Sequence, residues 1–182
     1  MFKKTTLVML FMLLMASIVH AQDTQYSIWD WQHRTQISVS SAYLQTTAFS
    51  TEEMPQWLGV DVVPTITYSW HPLLSTYVSY ACGFPFDNEL SRINMVRAAF
   101  NFNVYPGISG ERSNAALAIG YGALWLGNVS IKEWIGSEVH VTGAYKLFPK
   151  VASFVTYSHA FGTTSTPDDF DFLRAGLTCK LW

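Results

Sequence analysis

From Trp57 to Trp70 the chain alternates. Leu58, Val60, Val62, Pro64, Ile66, Tyr68 and Trp70 share one face, while Gly59, Asp61, Val63, Thr65, Thr67 and Ser69 share the other. Alternation sustained this long predicts a β-strand with one apolar face and one small or polar face. Pro64 has no N–H to give to a ladder, so a bulge or local irregularity is expected there. The pattern returns over residues 74–84, 92–105, 114–126, 136–147 and 171–182, and more weakly over 36–46 and 150–161, which makes eight strands. In 92–105, for example, Val96, Ala98, Phe100, Phe102 and Val104 oppose Arg97, Asn101 and Asn103.

The connections sort into two kinds. "HPLLS" (71–75), "YPGISGERS" (105–113) and "LFPK" (147–150) are tight and contain Pro, whereas "TTAFSTEEMPQ" (46–56), "FPFDNELS" (84–91), "GNVSIKEWI" (127–135) and "GTTSTPDDFD" (162–171) are longer and acidic. Short and long connections in alternation suit an antiparallel up-and-down barrel of the outer-membrane type, with its short ends in the periplasm. The segment "PLLSTYVSYACGF" (72–84) returns 77 positions later as "PKVASFVTYSHAF" (149–161). Each copy reads as a short turn plus the strand rising from it.

Composition points to a membrane. Charged residues make up 13% of the chain against 15% aromatics, and soluble domains carry about 25% charge. Residues 1–21 read as a secretory signal peptide: Lys3 and Lys4, an apolar run from Leu7 to Met15, and Val19-His20-Ala21 before the cut. Residues 22–182 then form one domain, in which 22–34 is a periplasmic N-terminal segment whose Trp29 and Trp31 are expected to dock at the periplasmic interface or form a short amphipathic anchor. Loss of Lys3 and Lys4 leaves 9 basic residues against 13 acidic ones, a balance that excludes nucleic acid as the partner. No later apolar run is long enough for a membrane helix, so a membrane could be crossed only by a closed barrel. The expected fold is therefore all-β, an eight-stranded antiparallel up-and-down transmembrane β-barrel in the cell outer membrane. The competing soluble, lipocalin-like barrel would turn Gly59, Thr65, Thr67, Gly120 and Gly122 to water, and these small residues suit a cramped lumen better.

With this signal peptide, strand number, turn asymmetry and C-terminal Trp182, the chain resembles the small eight-stranded outer-membrane barrels of the outer membrane protein A transmembrane-domain, OmpX and OmpW kind. The resemblance implies a monomer whose partners are outer-membrane lipids, lipopolysaccharide and the barrel insertion machinery, with no cofactor. In these families the terminal aromatic belongs to the signal read by that machinery. Here Leu181, Cys179, Leu177 and Ala175 stand in the opposite phase to Trp182.

Four charges fall at matching depth on the polar face: Asp61, Arg97, Glu138 and Arg174, alternating in sign on every second strand. They are expected to form a lumen charge network, because an unpaired buried charge is costly. Gly83, Gly122 and Ser158 leave room beside them. A static plug is the simpler use of such a ring; a gate for ions or solutes is the alternative. Candidate catalytic residues are Ser158, His159, Ser165 and Asp168, since a Ser/His/acid set supports nucleophilic catalysis. The resemblance extends to enzymes that deacylate or acylate lipid A, but a deacylase would carry a His-x-Ser element where this chain has "HAF" (159–161). His71 and His140 face inward without neighbours at metal-ligand spacing, so no metal site is expected. Glu52, Glu53, Asp87, Glu89, Glu133, Asp168, Asp169 and Asp171 read as a solvated acidic rim. Cys82 and Cys179 fall on strands that are not neighbours and should be free thiols. The expected role is structural or surface-interacting; a small gated channel and a lipid A acyl hydrolase or acyltransferase using His159 are the alternatives.

Overall fold

A computed structural model describes residues 34–48, 57–71, 73–87, 89, 92–105, 115–128, 134–163 and 169–182. The chain divides into Met1–Arg34 and Thr35–Trp182. The signal peptide and the Trp29 and Trp31 segment lie outside the described residues, as do Glu52, Glu53 and Glu133.

Thr35–Trp182 holds eight strands: β1 Thr35–Ala48, β2 Leu58–His71, β3 Leu74–Pro85, β4 Ile93–Tyr105, β5 Ala115–Asn128, β6 Trp134–Phe148, β7 Val151–Phe161 and β8 Phe170–Lys180. Each pairs antiparallel with its neighbours, and β8 pairs with β1 from Ser38 opposite Lys180 to Ala48 opposite Phe170, which closes the barrel. Closure leaves no open edge, so the strands pair with one another all the way around the wall. The architecture is the transmembrane barrel that the alternation predicts.

The alternation also fixes which face is which. Ile66, Val78, Phe100, Tyr121, Val155 and Leu177 point outward and are more than half or nearly half exposed, and they continue into a band around the wall. A contiguous apolar surface of this size belongs against lipid and not water. The lipocalin-like alternative, which needs this face inside, is thereby set aside.

The ladder stays in register through Pro64, which faces Val39 of β1. On the β3 side pairing passes from Val62–Cys82 directly to Thr65–Ser79, so the missing N–H opens a gap and no bulge. Register shifts instead occur at Ser69/His71, Asn103/Tyr105 and Lys146/Phe148, all at the short-turn end. Bulges at a rim add twist where the chain reverses.

Candidate functional site

The inward-facing residues form two layers. Toward the long-loop end, Leu44, Trp57, Met95, Leu124 and Phe172 pack with Ile93, Leu126, Phe170 and smaller residues into a buried apolar cluster. Toward the short-turn end the same strands turn polar, and Ser40, Thr65, Ser79, Asn101, Thr142 and Thr156 line a cavity of about 300 Å³. The four predicted lumen charges stand where the layers meet.

The structure brings those charges together as two ion pairs. Arg174 of β8 is bidentate on Asp61 of β2, with Nε 2.6 Å from Oδ2 and Nη2 3.0 Å from Oδ1. Arg97 of β4 meets Glu138 of β6 through Nε alone, 2.9 Å from Oε1 and 3.1 Å from Oε2, with the hydrogen directed at Oε2. Each pair reaches across one intervening strand, β1 for Asp61–Arg174 and β5 for Arg97–Glu138; in the ladder Asp61 faces Ala42 and Glu138 faces Gly122. Both guanidinium groups also lie over aromatic rings, Arg97 5.5 Å from the centroid of Phe172 and Arg174 5.3 Å from that of Phe154. Arg97 Nη2 donates to Met95 Sδ at 3.6 Å. The pairs sit on opposite sides of the barrel and are related by the 77-residue offset: Asp61 corresponds to Glu138, and Arg97 to Arg174.

Beside the Arg97–Glu138 pair, His140 Nε2 lies 2.7 Å from Asn101 Oδ1, and its ring stands edge-on to Tyr77 at 5.8 Å. Gly120 makes room for this imidazole, since a Cβ there would collide with Nε2 and Cε1. The buried side-chain polar atoms left without a hydrogen-bond partner among the described residues are Thr35 Oγ1, Arg97 Nη1, Glu138 Oε1 and His140 Nδ1. Glu138 Oε1 and His140 Nδ1 lie 3.9 Å apart, and Arg97, Glu138 and His140 are among the residues around the cavity.

Of the catalytic candidates, the two described residues, Ser158 and His159, are not brought together. Ser158 is buried in the lumen, while His159 next to it points out of the barrel, because successive strand residues face opposite ways. His159 Nδ1 is 2.8 Å from Asp171 Oδ1, which also accepts the Tyr157 hydroxyl at 2.7 Å. Nε2 stands 4.0 Å from Asp169 Oδ2. Asp171 is thus held in an interfacial cluster instead of the solvated rim expected for it. Ser165 and Asp168 lie outside the described residues. His71 accepts the Leu73 N–H through Nδ1 at 3.1 Å in the β2–β3 turn, so its ring serves that turn and does not line the lumen. Cys82 and Cys179 are free thiols on β3 and β8.

Gly83 needs correction. It faces Asp61 in the ladder, but its open space is taken by the Trp57 ring, 2.9 Å from where a Cβ would stand, and not by the charged side chains. Trp57, Met95, Leu124 and Phe172 escape a reading based on alternation. Near the long-loop end both strand faces are apolar, so the period-two signal fades; the surviving cue is the Gly59 and Gly83 pair that accommodates the Trp57 ring.

A closed eight-stranded wall with an apolar belt outside and two ion pairs inside defines a small outer-membrane β-barrel by fold. Neisserial surface protein A is similar over 81% of this chain and 97% of its own, at 13% identity and a TM-score of 0.58. The N-terminal β-barrel domain of OprF from Pseudomonas aeruginosa is similar over 80% of this chain and 99% of its own, at 11% identity and a TM-score of 0.52. The outer membrane protein OprG of the same organism matches 81% of this chain and 96% of its own, at 8% identity and a TM-score of 0.52. No protein-family model matches the sequence, and no curated protein matches it.

Proposed function

We propose that the chain is an integral outer-membrane protein with a structural or surface-interaction role and a sealed lumen. The observation that carries this reading is the apolar cluster of Leu44, Trp57, Met95, Leu124 and Phe172 stacked above two ion pairs. An ion moving along the bore would have to break a buried pair and then shed its water against a dry apolar layer, and each step is costly. A gated channel would need both layers to open together. A lipid A acyl hydrolase or acyltransferase would need a nucleophile beside His159; Ser158 faces the other way, and Ser165 lies outside the described residues. The role then falls to the outer surface and the long loops, in contact with outer-membrane lipids and lipopolysaccharide. The test pairs planar-bilayer recording of the refolded protein with mass spectrometry of lipid A from cells that carry it. This reading expects no unit conductance and unchanged lipid A. Conductance abolished or altered by Arg97→Ala or Arg174→Ala would establish the channel instead, and acyl-chain changes dependent on His159 would establish the enzyme.

A further inference from the structure

Charge is spread unevenly along the barrel axis. Within Thr35–Trp182 the described acids outside the two ion pairs are Asp87, Glu89, Asp169 and Asp171, all toward the long-loop end. The described lysines, Lys146, Lys150 and Lys180, all stand at the other end: Lys146 near the close of β6, Lys150 in the β6–β7 turn and Lys180 at the end of β8. The backbone holds them as neighbours. The Lys180 N–H donates to the Lys150 carbonyl at 2.8 Å, and Lys146 pairs with Ala152, which in turn faces Thr178. Among the described residues none of the three lysines forms an ion pair. The negative group among the described residues at this rim is the carboxylate of Trp182, which accepts the Ile37 N–H at 2.9 Å. Three cations against one anion leave the rim positive.

Alternation turns two of these lysines toward the bore. Ala144 and Thr178 line the polar cavity, and Lys146 and Lys180 are the next positions of the same parity toward the rim. Ser38 also lines the cavity and faces Lys180 in the ladder. The mouth of the cavity therefore carries clustered ammonium groups with the Ser38 and Thr178 hydroxyls behind them. Clustered cations raise the local potential and draw anions to the mouth. Lysine is a point charge with three donors on a flexible stem, so several lysines can converge on one tetrahedral oxyanion from a rim that does not fix their tips. A phosphate group matches this set: near neutral pH it carries about −1.5 to −2 charges and offers three strong acceptor oxygens. A single carboxylate would leave more of the positive charge uncompensated, and an uncharged guest would leave all of it.

We infer that the short-turn mouth of the cavity binds a phosphate group, held by Lys146, Lys150 and Lys180 with the hydroxyls of Ser38 and Thr178. The group belongs to a free solute or to a phospholipid headgroup of the leaflet beside that rim; the recognising chemistry is the same. Such binding goes beyond the sealed-barrel role and does not depend on it, since an anion at the mouth leaves the ion pairs and the apolar cluster in place.

The test is a titration of the refolded full barrel with inorganic phosphate in phosphatidylcholine nanodiscs, read by NMR at the Ser38, Thr178 and Lys180 amides, with chloride at equal ionic strength as the control. The expected result is a saturable shift with phosphate and none with chloride. The double variant Lys150→Gln/Lys180→Gln should bind about tenfold more weakly, as loss of two solvent-reachable charge contacts implies. Both lysines are exposed at the rim, and an unchanged Gly120 amide reports an intact barrel in the variant. Arg92→Gln removes an exposed cation that lies over Phe84 at the opposite end and should leave the affinity unchanged. A second arm replaces part of the phosphatidylcholine with phosphatidylglycerol. Shifts of the same amides by that lipid, with more free phosphate then needed for half-saturation, assign the group to a headgroup; saturation by free phosphate that the lipid does not alter assigns it to a solute. Linear shifts in both arms, equal saturation by chloride, or equal affinity in the double variant would overturn the inference.

Discussion

Replacing Asp61 with Asn keeps the shape of the side chain and removes the charge that faces Arg174. The carboxylate is fully buried and the arginine side chain 11% exposed, with contacts of 2.6 and 3.0 Å between them. Charge centres about 4 Å apart at an effective dielectric near 20 attract by about 4 kcal/mol. Breaking one partner of a buried pair costs about 3–5 kcal/mol, because the survivor stays desolvated. Arg174 borders the cavity, where water can reach it, so Asp61→Asn should cost about 3 kcal/mol, near the lower end of that range. Arg174→Met should cost a similar amount. The double variant should cost about 2–3 kcal/mol less than the sum, since it leaves no unpaired charge. Urea unfolding of the three variants in lipid vesicles, followed by tryptophan fluorescence, measures all of these. A loss below about 1 kcal/mol for Asp61→Asn, the range of exposed surface pairs, would refute the buried-pair account. So would single and double losses that add to within about 0.5 kcal/mol.

Other consequences can be checked alongside. Leu124→Ala, which removes a buried member of the apolar cluster, should cost about 2–5 kcal/mol in the same unfolding assay. Gly120→Val would drive a side chain into the His140 ring; a loss of about 1–3 kcal/mol is expected, with displacement of the His140 resonances in an NMR spectrum. His159→Ala should leave the lipid A mass spectrum unchanged and lower stability by about 1 kcal/mol or less, because the histidine side chain is 30% exposed. Under non-reducing conditions, peptide mass mapping should find Cys82 and Cys179 separately alkylated, given their places on non-adjacent strands.

Much of the wall is legible in the primary structure because period-two alternation is a local signal. Ile66 and Val78 read as apolar-face residues from their neighbours alone, and both emerge on the lipid side. The turn asymmetry orders the hairpins in the same local way. Pro64 is legible in the same way: its missing donor predicts a bulge or a local irregularity, and the irregularity appears as a gap in pairing on the β3 side while the β1 side holds the register and the bulges lie at the rim. Depth counting along the strands selects Asp61, Arg97, Glu138 and Arg174, yet it cannot say which acid meets which base. That depends on which neighbouring strands the side chains span, β1 on one side of the barrel and β5 on the other. The corner at His140, Asn101 and Tyr77 is less legible still, because it joins β6, β4 and β3 through side chains alone. The Trp57 plug hides for a different reason, as an aromatic at a strand start looks like a membrane-interface anchor until the glycines opposite it are seen in space.

Ion pairs that divide the lumen into a dry layer and a wet one should leave a pattern of cysteine accessibility. Single cysteines placed at Thr65, Ser79 and Leu124, in a background with Cys82 and Cys179 replaced by Ala, would be probed in vesicles with a membrane-impermeant thiol reagent applied from each side in turn. The account predicts labelling of positions 65 and 79 from the short-turn side only, and of position 124 from neither side. Labelling of position 124, or of positions 65 and 79 from the long-loop side, would show that the bore is open through the apolar cluster and would contradict it.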